Sequence, residues 1–320
     1  MAGELAVAVD LGGTQVRAGL VEGGRVLRRA SAPTDVGGGP RAVLEQMTAL
    51  FAKVCGPADR ERLAGVGVSA PGPLDSERGV VLHVPTLPRL DGFALRDSLA
   101  AELGLPVTLE NDAIAAAVGE WRFGAGRGLR HLVYVTVSTG VGGGVIADGR
   151  VLRGRMGMAG HVGHMRLVTE GPRCSCGAVG CLEALASGTA LGARARAAAR
   201  ADPAGALARV GDPAVIEARH VVELALRGDP TCLGLLREEA AYLGAGFTTL
   251  LHLFSPELIV VGGGVAHAFD LMAENIREVI RRDALEPFRN VPVVRAALGE
   301  NSGLVGAAAL AVEERGASGT

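Results

Sequence analysis

Lysine is nearly missing from this chain. Of 32 basic residues in 320, Lys53 is the single lysine and the rest are arginine, so no lysine is available to grip a phosphate from a loop. No G-x-x-x-x-G-K-S/T occurs, and no G-x-G-x-x-G opens a helix after the first strand, which removes the Walker loop and the dinucleotide fingerprint. Any nucleotide chemistry must then rest on backbone amides, arginine or a metal ion. A surplus of positive charge is lacking too. The net charge is −2 and the pI near 6.4, with no clustered basic face, which argues against nucleic acid as a partner. No apolar run is long enough to span a bilayer, and Glu4 and Asp10 flank the first apolar stretch where a leader peptide would carry a basic region and a cleavage site. No membrane partner and a cytoplasmic location are therefore expected. Cysteine is sparse, five in all. Three of these are crowded into one short stretch, a pattern that fits a reducing compartment better than a disulfide framework. Cys55 and Cys232 are expected to be inert core thiols.

Apolar residues, by contrast, make up 48% of the chain, enough for two α/β lobes or one large domain. Apolar runs predict strands over 5–9, 16–21 and 25–30, joined by the turns Asp10-Leu11-Gly12-Gly13-Thr14 and Glu22-Gly23-Gly24. Helical spacing of Val43, Leu44, Met47, Leu50, Phe51 and Val54 predicts a helix over 40–54. A strand over 64–69, a helix over 95–103 and a strand over 107–109 follow, the last delivering Glu110-Asn111-Asp112 to the head of a small-residue helix over 113–123. The pattern then starts again with a strand over 131–137, the glycine-rich turn 138–144, and a returning strand after Asp148-Gly149. Gly-Arg-Val-Leu-Arg occurs at 24–28 and at 149–153, each time after a hairpin turn, and reads as the trace of a duplication. Further helices are expected over 187–201, 213–227, 232–254, 269–282 and 304–313, with strands over 258–261 and 291–296. The expected architecture is a small lobe of 1–112 plus 303–320 facing a large lobe of 113–302 across a cleft, with 316–320 as a short tail.

One stretch, 160–183, concentrates the chemistry. It brings His164, Cys174, Cys176 and Cys181 into one loop, and three thiolates with one imidazole complete a tetrahedral Zn²⁺ site that leaves no position for a reactive water. Such a set holds structure. Three unrelated buried thiols are the alternative, since cysteine also packs as a small hydrophobe; Ser175, Gly177 and Gly180 offer those thiols no apolar stripe to join. The clip would hold Glu183, two residues past the last cysteine, near His161, three residues before the histidine ligand.

Three glycine-rich turns each follow a strand: Gly12-Gly13-Thr14, Thr139-Gly140 with Gly142, Gly143 and Gly144, and Gly262-Gly263-Gly264. Backbone N–H groups in such turns form nests for phosphate oxygens. Any one of them is equally ordinary turn chemistry, but three in register favour a nucleotide tail gripped between lobes. Asp112, at a strand end and a helix head, can be a plain helix cap. With Asn111 beside it, it also suits phosphoryl transfer to an alcohol, which needs a carboxylate to take the proton and an amide to fix the substrate. Asp10 faces the first turn and is a candidate to hold Mg²⁺ through water.

Asp10-Leu11-Gly12-Gly13-Thr14, Glu110-Asn111-Asp112-Ala113, the 138–144 turn, Gly163-His164, the 174–183 cysteine motif and Gly262-Gly263-Gly264 together resemble the ROK family of bacterial sugar kinases and sugar-responsive repressors. The resemblance runs from the first strand to Gly303-Leu304-Val305-Gly306 and is closest to the family's glucokinases and hexokinases. It implies the two-lobed actin-like ATPase fold of hexokinases, which is ribonuclease H-like. It also implies ATP-dependent phosphorylation of a hexose 6-hydroxyl, with Asp112 as base. By the same resemblance Gly72, Asn111, Asp112, His161, His164 and Glu183 lie at the sugar, His164 giving its other ring nitrogen to zinc. Asp10, Gly12, Gly13, Thr14, Thr139, Gly140, Gly262 and Gly263 approach ATP and its Mg²⁺. A homo-oligomer, dimer or tetramer, is expected.

Family repressors carry a winged helix before the first strand, and this chain starts within a few residues of that strand; a sugar-sensing regulator without its DNA-binding domain is the second reading. Two departures bear on substrate choice. Glu-x-Gly-His, usual in family kinases, is His161-Val162-Gly163-His164 here, and the usual Pro-Asn-Leu and Gly-Trp are Pro85-Thr86-Leu87 and Arg89-Leu90. A neutral imidazole discriminates among hydroxyls less strictly than a carboxylate, so mannose or glucosamine is expected to be accepted beside glucose; the alternative is that His161 replaces glutamate in packing only and a water restores the contact.

Overall fold

Two five-stranded mixed sheets of the same design organise the backbone in the computed structural model, which describes residues 4–318. In the first sheet β1 (Leu5–Leu11) pairs antiparallel with β2 (Gln15–Glu22), and β2 antiparallel with β3 (Arg25–Pro33). Across β1 lies β4 (Leu63–Ala70), parallel to it. A small flap, β5 (Leu74–Asp75) with β6 (Val80–Val81), precedes β7 (Val107–Asn111), which runs parallel to β4. The second sheet repeats this plan with β8 (Leu132–Val137), β9 (Val141–Ala147), β10 (Arg150–Val151), β11 (Leu258–Gly262) and β12 (Val293–Arg295), in the order β10-β9-β8-β11-β12 and with the same pairings. The repeated pentapeptide thus falls on equivalent strands, β3 and β10. Its second copy leaves the sheet after Val151, where Gly154 at φ 63° turns the chain away.

The helices are α1 (Gly39–Val54), the single turn α2 (Pro57–Arg60), α3 (Leu95–Leu103), α4 (Asp112–Phe123), α5 (Leu182–Ala186), α6 (Gly188–Ala201), α7 (Ala218–Leu226), α8 (Pro230–Phe254), α9 (Phe269–Asp283) and α10 (Ser302–Ser318). Alternation along β1 sends Val7, Val9 and Leu11 to one face, where they pack with Val43, Met47 and Leu50 of α1 and Leu95 and Leu99 of α3. Ala6 and Ala8 point to the other face, toward Ala115 and Val118 of α4 and the apolar run of α10. One turn around α4, Ala116, Ala117 and Trp121 pack on Leu132, Tyr134 and Val260 of the second sheet. A helix built of small residues can approach both neighbours, so α4 joins the two sheets. The outer face of the second sheet is covered by α5 to α9 in one continuous core.

Three expected elements differ in detail. Helix α6 begins one residue late because Ser187 is its cap, its hydroxyl accepting from Ala190 N–H at 3.1 Å. The helix expected over 213–227 is broken: Pro213 opens a 3₁₀ turn, Ile216 runs extended into the core, and α7 starts at Ala218. The strand expected over 291–296 is shorter, since Pro292 has no N–H for the ladder. At the end, α10 takes in residues 316–318 of the expected tail, while residues 1–3, 319 and 320, included in the expected small lobe, lie outside the described residues. Among the described residues, no helix is long and apolar enough to cross a membrane.

Candidate active site

Parallel register sets the first pair of site residues. β1 and β4 run side by side with Asp10 opposite Ser69, and the Ser69 hydroxyl donates to Asp10 Oδ1 at 2.7 Å. One strand further out, β7 ends at Asn111 beside Ala70, and α4 starts with Asp112. The cap of α4 is Asn111, whose Oδ1 accepts from Ala113 and Ile114 N–H at 3.0 and 3.3 Å. Capping was one reading of Asp112; instead Asp112 occupies the first helical position and accepts from Ala113 N–H at 2.7 Å. Its carboxyl is half-buried, and desolvation pushes its pKa up to about 6, the nearby Asp10 adding to the rise and the N–H contacts opposing it. Burial also raises Asp10, against the pull of Ser69, Arg17 and Arg29.

Gly72 marks the opposite wall. A Cβ there would lie 3.0 Å from Asn111 Nδ2 and 3.3 Å from His161 Cε1, so Gly72, Asn111 and His161 meet at one point with no room for a larger residue. Asn111 is further held by buried Glu110, which accepts from the Asn111 N–H and from Arg153 Nε, both at 3.0 Å. The rings of His161 and His164 stack with centroids 6.1 Å apart. Burial, and then proximity to His164, lower the His161 pKa, with Glu183 opposing, which favours the uncharged ring.

Beyond His164 the four candidate metal ligands converge, their donor atoms all within 4.8 Å of one another. Cys176 and Cys181 Sγ are 3.8 Å apart, and Cys174 Sγ is 3.6 Å from His164 Nδ1. Bond lengths to tetrahedral zinc place two sulfurs about 3.8 Å apart, and sulfur and nitrogen about 3.6 Å apart, so the donor set fits that ion. A cluster of packing thiols does not fit, because Cys176 is exposed. Glu183 hangs between this loop and the second glycine turn: Ser175 Oγ donates to its Oε1 at 3.0 Å, and Val141 N–H to its Oε2 at 3.1 Å. A Cβ on Gly140 would come within 2.6 Å of the same Oε2.

The three glycine turns fall into two groups. On the first sheet, Gly12-Gly13-Thr14 is closed by Gly12 N–H to the Gln15 carbonyl at 2.9 Å and braced by Thr34, whose hydroxyl donates to the Gly12 carbonyl at 2.7 Å. On the second sheet, the Thr139 carbonyl accepts from the Thr189 hydroxyl at 2.7 Å. Gly263, at φ 88°, leans on that turn so closely that a Cβ would lie 2.3 Å from the Val137 carbonyl oxygen. Thr139, Gly140, Gly262 and Gly263 are thus gathered on one side and Asp10, Gly12, Gly13 and Thr14 on the other. No hydrogen bond or ion pair bridges the 12–14 and 138–144 turns among the described residues. Ser69, Ser175, Thr34, Thr189 and Arg153 escaped the sequence reading. Ser69 was recoverable from the register of two parallel strands and Ser175 from its place between two ligands; the other three reach the site from distant segments and carry no local signal.

The family model of the ROK family matches residues 6–314. The chain is 39% identical over 316 residues to the glucokinase of Streptomyces coelicolor, a match covering 97% of this chain and 98% of the relative. It aligns with the crystal structure of a ROK family glucokinase from Streptomyces griseus in complex with glucose and AMPPNP at a TM-score of 0.85 and 39% identity, over 97% and 99% of the two chains. The ROK hexokinase of Thermus thermophilus gives a TM-score of 0.77, also at 39% identity and over 97% and 99%. With the match running from the first strand into the last helix and the α/β design shared throughout, the chain belongs to the ROK family.

Proposed function

We propose that this protein phosphorylates the 6-hydroxyl of a hexose at the expense of ATP, with Asp112 as the general base. The observation that carries the proposal is a carboxyl excused from capping, with a pKa near 6, flanked by Asn111 on one side and Asp10 on the other. The sugar oxygen attacks the γ-phosphorus as its proton passes to Asp112. The new O–P bond forms, the bond from phosphorus to the β-phosphate oxygen breaks, and ADP leaves with that electron pair. Gly72, Asn111, His161, His164 and Glu183 line the sugar, and the turns at 12–14, 139–140 and 262–263 take the triphosphate. The glucose and AMPPNP held by the Streptomyces griseus relative support both assignments. We take residues 1–112 with the last helix as one lobe and 113–302 as the other, each holding one sheet, and closure of one on the other would exclude water. Asp10 would hold Mg²⁺ through water, and the ion would neutralise charge on the phosphates. His164 Nδ1 and Cys174, Cys176 and Cys181 would hold Zn²⁺, which supplies order to the loop carrying His161 and Glu183.

With an uncharged His161 where family kinases usually carry glutamate, the enzyme is expected to use mannose or glucosamine as well as glucose. Coupled ADP-release kinetics across these sugars tests this: a glucose preference in kcat/KM beyond about a thousandfold, the scale of dedicated hydrogen-bond readout, overturns it. Asp112→Ala separates the kinase from a sugar-sensing regulator. The kinase loses turnover while calorimetry still detects sugar; a regulator has no turnover to lose.

A further inference from the structure

Five arginines among the described residues are partly buried: Arg17, Arg96, Arg122, Arg194 and Arg196. Four of them have partners there. Arg96 bonds Asp97 and the Glu77 carbonyl, Arg122 pairs with Glu313, Arg194 with Glu239 and the Leu185 carbonyl, and Arg196 with the Ile216 carbonyl. Arg17 makes no hydrogen bond or ion pair with any described residue. A guanidinium carries five donors in a rigid fork, and none of the Arg17 nitrogens is both sealed from solvent and unpartnered, so the fork is open to a ligand.

Its place in the sheet says which ligand. Arg17 stands three residues past Thr14 and is the direct cross-strand partner of Asp10 on β1 and of Ser31 on β3. Cross-strand partners share a face, and the neighbours Leu11 and Val16 go to the core on the opposite one. Arg17 therefore stands on the crevice side with Asp10 and Ser69, immediately beside the 12–14 turn. Asp10 and Asp112 act on each other there as like charges, and the second arginine acting on Asp10, Arg29, is exposed and already faces Glu300; a nucleotide triphosphate would bring more negative charge. No lysine is available on this face, because Lys53 lies in α1, which packs on the other face of the sheet.

We propose that Arg17 is a further catalytic residue of this kinase, its guanidinium binding the terminal phosphates of the nucleotide and stabilising the charge that builds on them as the γ-phosphoryl group moves to the sugar. The inference rests on the hexose kinase reading above. A planar fork suits phosphate oxygens, and a preorganised cation facing developing charge is the usual largest contribution to such a transfer.

The full-length protein tests this through Arg17→Met and Arg17→Lys. Arg17→Met is expected to lower kcat about 100-fold or more and to weaken ADP binding about tenfold in calorimetry, while glucose affinity and melting temperature stay near those of the wild type; Arg17→Lys recovers part of the lost rate. A folded Arg17→Met with kcat within about threefold of wild type overturns the proposal, as does a loss confined to melting temperature. Should Arg17→Met fail to fold, Arg17→Lys decides: a clear fall in kcat with glucose affinity kept supports the role, and wild-type kcat overturns it. If the wild-type protein releases no ADP with any hexose, the kinase reading itself fails, and ADP calorimetry alone then decides for or against Arg17. Wild-type turnover with an indifferent Arg17 variant defeats only this inference.

Discussion

A carboxylate can take a proton only if it is ionised when substrate arrives, and Asp112 is held close to that limit. Unfolded, it titrates near the ordinary 3.8; folded, near 6. Between those values the native state keeps a proton that the unfolded state has lost, so Asp112 stabilises the fold fully only below 3.8, and the contribution is gone once the pH has risen through 6. A shift of that size corresponds to at most about 3 kcal/mol. Asp112→Asn, which cannot ionise, is expected to melt above the wild type at pH 7.5 and to converge with it toward pH 4. The wild-type kcat is expected to fall about tenfold per pH unit below roughly pH 6. Melting curves and a pH–rate profile check both; equal melting temperatures at pH 7.5 would show that the charged form is not disfavoured. At this scale the sequence was a good guide to which side chains carry chemistry, because Glu110-Asn111-Asp112 and the cysteine motif are local. It was a poor guide to their division of labour. That Asn111 caps the helix and frees Asp112 depends on one rotamer, and two adjacent residues with the same capping preference cannot be told apart by spacing.

Helix α4 carries Asp112 at one end, and its other end is fastened by Glu120. Glu120 is 0% exposed and accepts four hydrogen bonds. Its Oε2 takes Ala125 and Ala297 N–H, both at 3.0 Å, and its Oε1 takes Leu298 N–H and the Ser302 hydroxyl, both at 2.8 Å. One carboxylate thus ties the end of α4 to the chain leaving β12 and to the head of α10. Those two helices meet backbone to backbone, for a Cβ on Gly306 would lie 1.6 Å from the Ala115 carbonyl oxygen. Glu120→Ala leaves four donors unpaired in the interior, and at about 1 kcal/mol or more apiece the loss should reach about 4 kcal/mol. Urea unfolding of the variant measures it, and a midpoint unchanged from wild type would show that water replaces the carboxylate. Periodicity located α1, α3, α4, α8, α9 and the inner strands well, because burial on one face writes itself into the apolar spacing. Glu120 left no such mark. In sequence it is a charged residue in an alanine-rich helix, and three of its four partners lie 177 to 182 residues away.

At the scale of the whole molecule, the sugar would be held from both sheets at once: Gly72 and Asn111 belong to the first, and His161, His164 and Glu183 to the loop hung on the second. That loop has little apolar surface of its own, so its order would depend on a metal held by His164, Cys174, Cys176 and Cys181, and Glu183 bonds both this loop and the 138–144 turn. The sequence suggested the duplicated lobes through one repeated pentapeptide, and the identical strand orders of the two sheets agree. The link from metal loop to phosphate turn was not legible, since it runs through a single N–H of Val141. Its consequence is an ordered loss. Metal analysis of the native protein is expected to find one zinc per chain, and Cys181→Ser to lose it. The sugar KM should then rise about tenfold or more, because His161 and Glu183 both lose their support. The ATP KM should rise by a smaller factor, because the 138–144 turn keeps its bonds to Gly188 and Thr189. The melting temperature falls as metal-binding free energy leaves the folded state. Steady-state kinetics with each substrate varied, beside the melting curve, decides the matter: metal-free protein with both KM values unchanged would show that the cluster does not support the site, and equal losses on both substrates would show the second lobe failing as a whole.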